Sequence, residues 1–329
     1  MKILFLVRKK ELPSSRVRVL NLIPELARAG INSEVILYPR SLFKKLSLIL
    51  KLRQYDIVFI QKKLPSPADL FMLKTGARKL AYDFDDAVYC SIDAEEEKIR
   101  SSRAEKFKKM IYAADLVIAG NGLLAEQALP YNGNVTVVPS GVRSDGVPVK
   151  KHKVPSGKTV IGWVGTSANL SYLQMLVPAL RRLAAEVPVE LKVLSSEPPR
   201  MPGVPLAFVP WSLEGQEEEI ATFDIGVMPL PATDHAAGKC GYKALQYMAA
   251  QVPPVVSDVG VNSEIVEHGQ EGLVAKNIDG FYAALKYLIE NPEDRRMMGS
   301  RARQKVERLY SIQVVGGQLA KALLELQEI

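Results

Sequence analysis

Three aspartates stand together at the end of a predicted strand in the first half of the chain. Residues 82–87 read Tyr-Asp-Phe-Asp-Asp-Ala, and side chains alternate along a strand, so Asp83 and Asp85 are predicted to share one face. Two carboxylates placed in this way can bind a divalent metal, act as a general base or bind sugar hydroxyls. An aspartate that caps the following turn explains Asp86 but not three acids together. The pattern favours a functional role for at least one of them.

Two arginines follow the first predicted strand, in the first turn of a helix predicted over residues 16–29. Positive side chains are disfavoured at the amino end of a helix unless an anion lies nearby. A bound phosphate or carboxylate is one explanation for Arg16 and Arg18, and a solvated pair of exposed arginines is the other. The preceding loop lacks a Gly-x-Gly-x-x-Gly fingerprint, which argues against a dinucleotide cofactor.

A glycine turn follows the first predicted strand of the second half, residues 159–164. Gly165 allows the backbone to approach a ligand closely. The N–H groups of Thr166 and Ser167 lie where the next helix begins, a position from which they can bind a diphosphate. Simple capping of that helix by Ser167 or Asn169 is the alternative explanation.

The densest signal lies in residues 238–250, directly after the strand predicted to begin at Asp224. Lys239, Lys243 and Gln246 are spaced i, i+4 and i+7, which predicts a single helix face. Two lysines near the amino end of a helix suit a phosphorylated ligand. An amide one turn further along can pair with ribose hydroxyls. A lysine-rich face in contact with solvent is the alternative.

Basic residues cluster at positions 40–53, here called the basic segment, which contains five lysines and arginines and no acid. The apolar residues that are predicted to share one helix face are Leu42, Phe43, Leu46, Ile49 and Leu50. Such a helix either lies on an anionic membrane surface or covers a sheet with its lysines in water. No helix-turn-helix, zinc finger or aromatic–basic pattern accompanies the charge, which argues against nucleic acid as a partner.

Short apolar runs alternate with helical patterns along the whole chain. This alternation predicts parallel sheets with helices on both faces. Residues 140–158 are rich in Gly, Pro, Ser and Lys and separate two series of strands. The predicted fold is therefore α/β, with doubly wound domains over residues 1–150 and 151–310 and a helix over residues 311–329 at the domain junction. Ligands of this architecture bind in a cleft at the carboxyl ends of the strands, so the loops that follow strands are the candidate sites.

The composition is that of a globular protein. The 329 residues are 47% hydrophobic and 24% charged, with a net charge of +7, far from disordered composition. Cys90 and Cys240 are far apart and the three histidines are scattered, so neither a disulfide framework nor a zinc cluster is expected. Apolar runs such as residues 3–7 are too short to span a bilayer. These features predict a cytoplasmic protein.

The second half resembles the donor domain of glycosyltransferase family 4, whose members are retaining enzymes of the GT-B fold. The stretches that carry this resemblance are residues 161–165, 224–230, 238–250, 253–266 and 269–273. In the first half, Arg16-Val17-Arg18, residues 82–89 and residues 138–142 resemble the acceptor domain and its exit to the linker. The resemblance implies GT-B architecture, in which two Rossmann-like domains face a central cleft.

The family has two glutamates separated by seven residues, and alignment on Gly241 places them at Gly238 and Gln246. Gln246 can still bind a ribose hydroxyl, whereas Gly238 offers no carboxylate to the donor sugar. The family also places an Arg and a Lys on the diphosphate just after the position of Gly165, and this chain lacks both there. Lys239 or Lys243 is predicted to supply that charge instead.

The resemblance implies a hexosyltransferase that moves a sugar from a nucleotide-diphosphate sugar to a glycan or lipid-linked acceptor, with retention and without a metal or other cofactor. Residues predicted on the donor side are Gly165, Thr166, Ser167, Lys239, Lys243, Gln246 and Glu264. Those predicted on the acceptor side are Arg16 and Arg18, and those predicted as catalytic are Asp85, Asp86 and Lys239. A role in cell-surface polysaccharide biosynthesis at the inner face of the membrane follows, with the basic segment as the membrane contact. A non-catalytic sugar-nucleotide sensor or subunit and a nucleotide-sugar epimerase are the alternatives.

Overall fold

The computed structural model describes residues 1–90, 97–151 and 157–328, the side chains of 97–100 excepted. The chain divides into two compact units. Unit 1 comprises Met1–Gly141, Ala237–Cys240 and Ile312–Ile329, and unit 2 comprises Val142–Ala236 and Gly241–Ser311. The first change of unit thus follows Gly141, ahead of the predicted boundary after residue 150.

Unit 1 is built on a six-stranded sheet in the order β2-β1-β3-β4-β5-β6, and all its neighbouring strands are parallel. Its strands are β1 (Lys2–Val7), β2 (Asn32–Leu37), β3 (Ile57–Gln61), β4 (Lys79–Phe84), β5 (Leu116–Ala119) and β6 (Val135–Val137). The order reverses between β1 and β3, the point at which ligands of doubly wound folds bind.

Unit 2 has a second six-stranded parallel sheet, in the order β12-β11-β10-β7-β8-β9. Its strands are β7 (Thr159–Val164), β8 (Val189–Ser195), β9 (Leu206–Pro210), β10 (Ile225–Met228), β11 (Pro254–Ser257) and β12 (Leu273–Ala275). Here the order reverses between β7 and β10. The prediction of two doubly wound α/β halves is confirmed.

Helices cover both faces of each sheet, which explains why the strands are apolar on both sides. In β1, Ile3, Phe5 and Val7 face one core of unit 1, and Leu4 and Leu6 face the other. The helices are α1 (Pro13–Arg18), α2 (Ile23–Arg28), α3 (Leu42–Leu52), α4 (Pro67–Gly76), α5 (Glu97–Ala113), α6 (Gly122–Ala128), α7 (Leu170–Gln174), α8 (Val177–Glu186), α9 (Gln216–Ile220), α10 (Asp234–Ala237), α11 (Tyr242–Ala249), α12 (Asn262–Ile265), α13 (Ile278–Glu290), α14 (Pro292–Lys305) and α15 (Ile312–Glu328).

Short turns of other helix types extend three of these helices. Leu20–Leu22 and Ser167–Asn169 form 3₁₀ turns, and Val306–Tyr310 forms a π turn. No helix in the three described ranges combines the length and apolarity needed to cross a bilayer.

The helix predicted over residues 16–29 is divided in the structure. Helix α1 ends at Arg18, and α2 begins at Ile23 with Pro24 in its first turn. Proline is compatible with the first turn of a helix but not with its interior, because it lacks an N–H group and its ring collides with the preceding turn. Arg16 and Arg18 consequently lie in the last turn of α1, where positive charge is favourable. Their prediction as first-turn residues is wrong.

The C-terminal helix α15 packs on unit 1. Val315, Leu319 and Leu323 are buried in the core on the Ile3 side of the sheet, and Gly316 lies close to the side chain of Glu25 on α2. The last helix therefore completes a core that is formed mainly by the beginning of the chain.

Candidate functional site

In unit 2, the candidate site lies where β7 and β10 run side by side. Ile161 pairs with Ile225 and Gly162 with Gly226. The ring of Phe223 fills the space beside Gly162, and the ring of Tyr247 fills the space beside Gly226, since a Cβ at either glycine would lie within 2.3 Å of a ring atom. The two glycines thus allow aromatic rings to rest directly on the sheet.

Tyr247 fixes helix α11 to these two strands. Its hydroxyl accepts a hydrogen bond from the Val164 N–H (3.1 Å) and donates one to the Val227 carbonyl (3.2 Å). Burial raises the pKa of the Tyr247 hydroxyl, so it stays protonated even under alkaline conditions. The amino end of α11 is thereby positioned against the carboxyl ends of β7 and β10.

Gly165, the residue directly after β7, lies beside Trp163 and Lys243. A Cβ at this position would lie 2.5 Å from the Trp163 ring and 2.9 Å from Cε of Lys243. The Lys243 ammonium is 5.6 Å from the centroid of the Trp163 ring, within cation–π range. The structure therefore brings together the predicted glycine turn and one of the two predicted lysines.

Helix α11 begins after Gly241, which has φ of +64°, in the left-handed region that favours glycine. A Cβ here would also lie 2.2 Å from the Ile265 side chain. No side chain caps α11, so its first N–H groups are oriented for an anionic ligand. Because the helix starts at Tyr242, Lys239 precedes it, and the predicted helix face shared by Lys239, Lys243 and Gln246 is wrong for Lys239.

The sequence analysis missed two residues of a polar network around Gln246. The Gln246 amide donates to Oε1 of Gln216 on α9 (3.1 Å), and the same oxygen accepts from the Trp211 indole N–H (3.3 Å). Trp211 follows β9 directly and is partly exposed. An aromatic residue immediately after a strand was the signal that could have identified it.

The remaining predicted donor-side residues lie on the same unit. Thr166 is exposed, and its hydroxyl accepts a hydrogen bond from the Asn169 amide (3.0 Å). Neither Ser167 nor Asn169 caps a helix through its side chain, so the capping explanation of these residues is not observed. Glu264 is exposed on α12, and its backbone carbonyl accepts from the Lys305 ammonium (3.2 Å).

In unit 1, Arg18 is buried and bound to the chain itself. Its guanidinium forms an ion pair with Asp83 (2.5 Å) and donates to the carbonyl groups of Val138 (2.7 Å) and Pro139 (2.8 Å). Burial raises the pKa of Asp83, and Arg18 opposes that rise. The anion that the buried charge of Arg18 requires is thus a carboxylate of the same protein. Arg16 is half-buried in the same helical turn.

Asp85 and Asp86 follow β4 and meet two lysines; these four residues are here called the acid–lysine cluster. Lys62 lies 3.2 Å from Asp85 and 3.1 Å from Asp86, and Lys239 lies 3.2 Å from Asp86. Although burial opposes it, the two carboxylates raise the pKa of the Lys62 ammonium. Lys62 has φ of +57°, stabilised by a hydrogen bond from its N–H to the Asp83 carbonyl (2.7 Å).

Residues 238–240 contact the loop that follows β4 and the side chain of Asn121. The Cys240 thiol donates to the Asp85 carbonyl (3.3 Å), and the Asn121 amide lies 3.4 Å from the Lys239 carbonyl. Burial raises the pKa of the Cys240 thiol to about 12. A Cβ at Gly238 would lie 2.9 Å from the Ala87 N, so the chain packs too closely here for a side chain.

The predicted site residues therefore form two groups. Unit 2 carries Gly165, Thr166, Ser167, Lys243, Gln246 and Glu264. Unit 1 carries Arg16, Arg18, Asp85, Asp86 and Lys239. Within residues 1–90, 97–151 and 157–328, no three His, Cys, Asp or Glu side chains are grouped as metal ligands would be.

Comparison with known proteins identifies the class of unit 2. Residues 158–291 match the family model described as Glycosyl transferases group 1. The predicted glycosyltransferase class is confirmed by this match. The sequence has no significant match among curated proteins.

Solved structures of the same fold cover almost the whole chain. A sucrose-phosphate synthase from Thermosynechococcus elongatus is 14% identical, with a TM-score of 0.78 and coverage of 99% of both chains. Anabaena HepE in complex with UDP-glucose is 15% identical, with a TM-score of 0.74, over 99% of this chain and 100% of that one. The apo lipopolysaccharide outer core galactosyltransferase WaaB is 14% identical, with a TM-score of 0.63 and coverage of 99% of both. The predicted GT-B fold is confirmed.

Proposed function

We propose that this protein is a retaining family 4 hexosyltransferase that takes its sugar from a nucleotide-diphosphate donor, without a metal or other cofactor. The observation that carries the proposal is the close approach of Gly165 and Lys243 at the β7–β10 reversal, beside the uncapped start of α11. Backbone N–H groups at a helix amino end and an ammonium group together stabilise a diphosphate. The same groups stabilise the charge that develops as the diphosphate leaves.

The nucleoside is assigned to the Gln246 side of the same site. The Gln246 amide has a second N–H and an oxygen available for ribose hydroxyls while it remains bound to Gln216. The partly exposed indole of Trp211, held through Gln216, provides a surface on which a base can stack. Anabaena HepE was solved with UDP and with UDP-glucose, which supports a uridine nucleotide as the first donor to test.

The acceptor is assigned to unit 1. The acid–lysine cluster offers carboxylate oxygens of Asp85 and Asp86 to acceptor hydroxyls, and Lys62 and Lys239 hold those carboxylates in place. Arg16 serves the acceptor in this proposal, whereas Arg18 is bound within the unit. A glycan or a lipid-linked acceptor, used at the inner face of a membrane during cell-surface polysaccharide synthesis, fits the exposed basic segment of the same unit.

A non-catalytic sugar-nucleotide sensor is the second candidate, and Gly238 favours it. The position that carries a glutamate in the resembled family pattern has no side chain here and no room for one beside Ala87. The two candidates share donor binding and differ in turnover.

The test is calorimetric titration of the full chain with UDP-, GDP- and dTDP-sugars, followed by assay of donor hydrolysis and transfer. Lys243→Met is expected to weaken binding of the preferred donor by about 2 kcal/mol, roughly thirtyfold, because a charge-assisted hydrogen bond is lost. Lys158→Met, at the opposite end of β7, is the matched control and is expected to bind as the wild type does. Equal donor affinity in Lys243→Met and the wild type contradicts the assignment. Saturable binding without turnover over hours supports the sensor.

A further inference from the structure

Helix α3 has apolar residues on two faces, and only one of them is covered by the protein. Leu48 and Leu52 are buried in the core of unit 1. The exposed residues, here called the outer face, are Leu42, Phe43, Leu46 and Leu50. Phe43 and Leu50 are each 82% exposed. The apolar face predicted from the sequence is therefore turned away from the sheet, apart from the half-buried Ile49.

The neighbouring helix α4 adds an exposed aromatic residue. Phe71 is 72% exposed, and α4 packs against α3. The two helices are joined by an ion pair between Lys45 and Asp69 (2.7 Å). Exposed large apolar side chains on two helices that pack together are typical of an interaction surface.

A cavity of about 550 Å³ lies beside α3, on the side adjacent to the outer face. Five cationic side chains line it: Arg8, Lys9, Arg40, Lys44 and Lys51. Among the residues that the structure describes, no ion pair engages any of these five. The one carboxylate in the lining, Glu34, accepts a hydrogen bond from the Tyr55 hydroxyl (2.6 Å).

The electrostatic surroundings of this cavity are positive. Burial lowers the pKa of the nearby Lys63 ammonium, and Arg8, Lys106 and Lys45 lower it further against the opposing effect of Asp69. Uncompensated cations around a cavity favour an anionic occupant. A second copy of this chain is disfavoured as the occupant of the outer face, because it would bring two sets of like charges together.

We infer that α3 is a membrane-docking element, in which the outer face enters the acyl boundary of an anionic bilayer and the cavity binds the phosphate of a lipid headgroup. A basic helix with exposed Phe and Leu residues lies in the interface plane of a membrane, and its lysines attract anionic lipids. The spacing of the charges fits this geometry, because Lys44 and Lys51 line the cavity while Phe43 and Leu50 point outward from the same turns. This inference deepens the proposed membrane contact and does not depend on sugar transfer.

The experiment measures sedimentation of the full chain with phosphatidylcholine vesicles, with and without about a third phosphatidylglycerol. The wild type is expected to bind only the anionic vesicles, and less strongly as salt is raised. The double variant Phe43→Ser with Leu50→Ser is expected to bind at least about tenfold more weakly, because two apolar side chains no longer enter the bilayer. The triple variant Arg40→Glu, Lys44→Glu and Lys51→Glu is expected to lose at least about a hundredfold, at roughly fivefold per charge.

The cavity is tested separately from the helix by Arg8→Gln with Lys9→Gln, which leaves α3 intact. A loss of at least about tenfold supports the headgroup site, and unchanged binding overturns it. Tyr112→Ser and Lys321→Glu are matched controls, since they change an exposed aromatic residue and an exposed lysine elsewhere on unit 1. Both are expected to bind vesicles as the wild type does.

Two further outcomes overturn the inference. One is binding of soluble glycerol phosphate to the cavity as tightly as binding to vesicles, which would identify a free phosphate ligand. The other is failure to bind any vesicle at low salt, which would indicate an acidic protein as the partner of the outer face. Donor calorimetry on the same variants separates this inference from the proposed function, because loss of vesicle binding with intact donor binding affects only the membrane site.

Discussion

The carboxyl edges of the two sheets are built from similar loops but differ in the groups that lie there. In unit 1, Arg18 is paired with Asp83, and the acid–lysine cluster pairs Asp85 and Asp86 with two lysines. In unit 2, the edge consists of Gly165, the Lys243 ammonium above an indole ring, and a helix without a side-chain cap. The first edge pairs opposite charges within the chain, and the second combines an ammonium group above an indole ring with the N–H groups at a helix start.

The difference shows that a few residues decide whether the ligand edge of a doubly wound sheet carries ion pairs or a glycine turn and a helix start. A buried charge must be paired within the protein or it destabilises the fold. Arg18 and Asp83 meet that requirement by pairing with each other, and as buried residues they are not accessible to a ligand. At the start of α11, the groups that need a hydrogen-bond partner are backbone N–H groups, and a bound anion can be that partner.

Arg18→Met is expected to give the largest effect, because it leaves Asp83 buried without its partner. The free energy of unfolding should fall by about 3–5 kcal/mol in urea denaturation. The double variant Arg18→Met with Asp83→Leu should recover part of the loss. Arg28→Met, which removes an exposed ion pair with Glu25, is the control and should change stability by less than about 1 kcal/mol. A loss of that small size for Arg18→Met would show that the buried Arg18–Asp83 pair does not contribute to stability.

Gly165→Ala tests the glycine turn at the edge of unit 2. The added methyl group collides with the buried Trp163 ring and with Lys243, so stability should fall by about 2 kcal/mol through overpacking. Displacement of Lys243 should weaken donor binding in calorimetry as well. Gly133→Ala, where nothing lies within 4 Å of the added atom, is the control. If Gly165→Ala leaves stability and donor binding unchanged, the close approach of Gly165 to Trp163 and Lys243 contributes to neither.

The smallest effect is expected in the pH dependence of the free energy of unfolding, through the Cys240 thiol of unit 1. The pKa of Cys240 rises from an ordinary 9.0 to about 12 in the folded chain. Above pH 9.0 the unfolded chain releases the thiol proton while the folded chain keeps it, so stability falls as pH rises toward 12. At pH 10 the loss should be about 1 kcal/mol.

Cys240→Ser should remove this part of the alkaline destabilisation, measured as the difference between the two proteins in urea titrations at pH 8 to 10. Parallel stability curves for the two proteins over that range would argue against a buried, protonated thiol beside Asp85.

The sequence predicted both parallel sheets and the loops that follow their strands, because apolar periodicity and glycine positions are local signals. Gly165, Lys243 and Gln246 lie where those signals placed them. The allocation of Lys239 to the acid–lysine cluster was not predictable, since it depends on the left-handed turn at Gly241 and on contacts with residues more than a hundred positions away. The pairing of Arg18 with Asp83 is likewise a tertiary contact that no short window contains.

The orientation of α3 in the basic segment also depends on tertiary packing. Periodicity identified an amphipathic helix, but two apolar stripes fit the segment, and the sequence alone did not show which one the sheet would cover. In the structure, the sheet covers the stripe that contains Leu48 and Leu52 and leaves the predicted apolar face exposed. Trp211 was missed because a single exposed tryptophan has no periodic neighbour.

The return of α15 to unit 1 has a consequence for biosynthesis. The core around Ile3 and Phe5 lacks Val315, Leu319 and Leu323 until the ribosome has passed Ser311. All of unit 2 has been translated by then, so the core of unit 1 can be completed only after unit 2 has been made. Until α15 arrives, the nascent amino-terminal sheet exposes part of that apolar face, which a chaperone can shield.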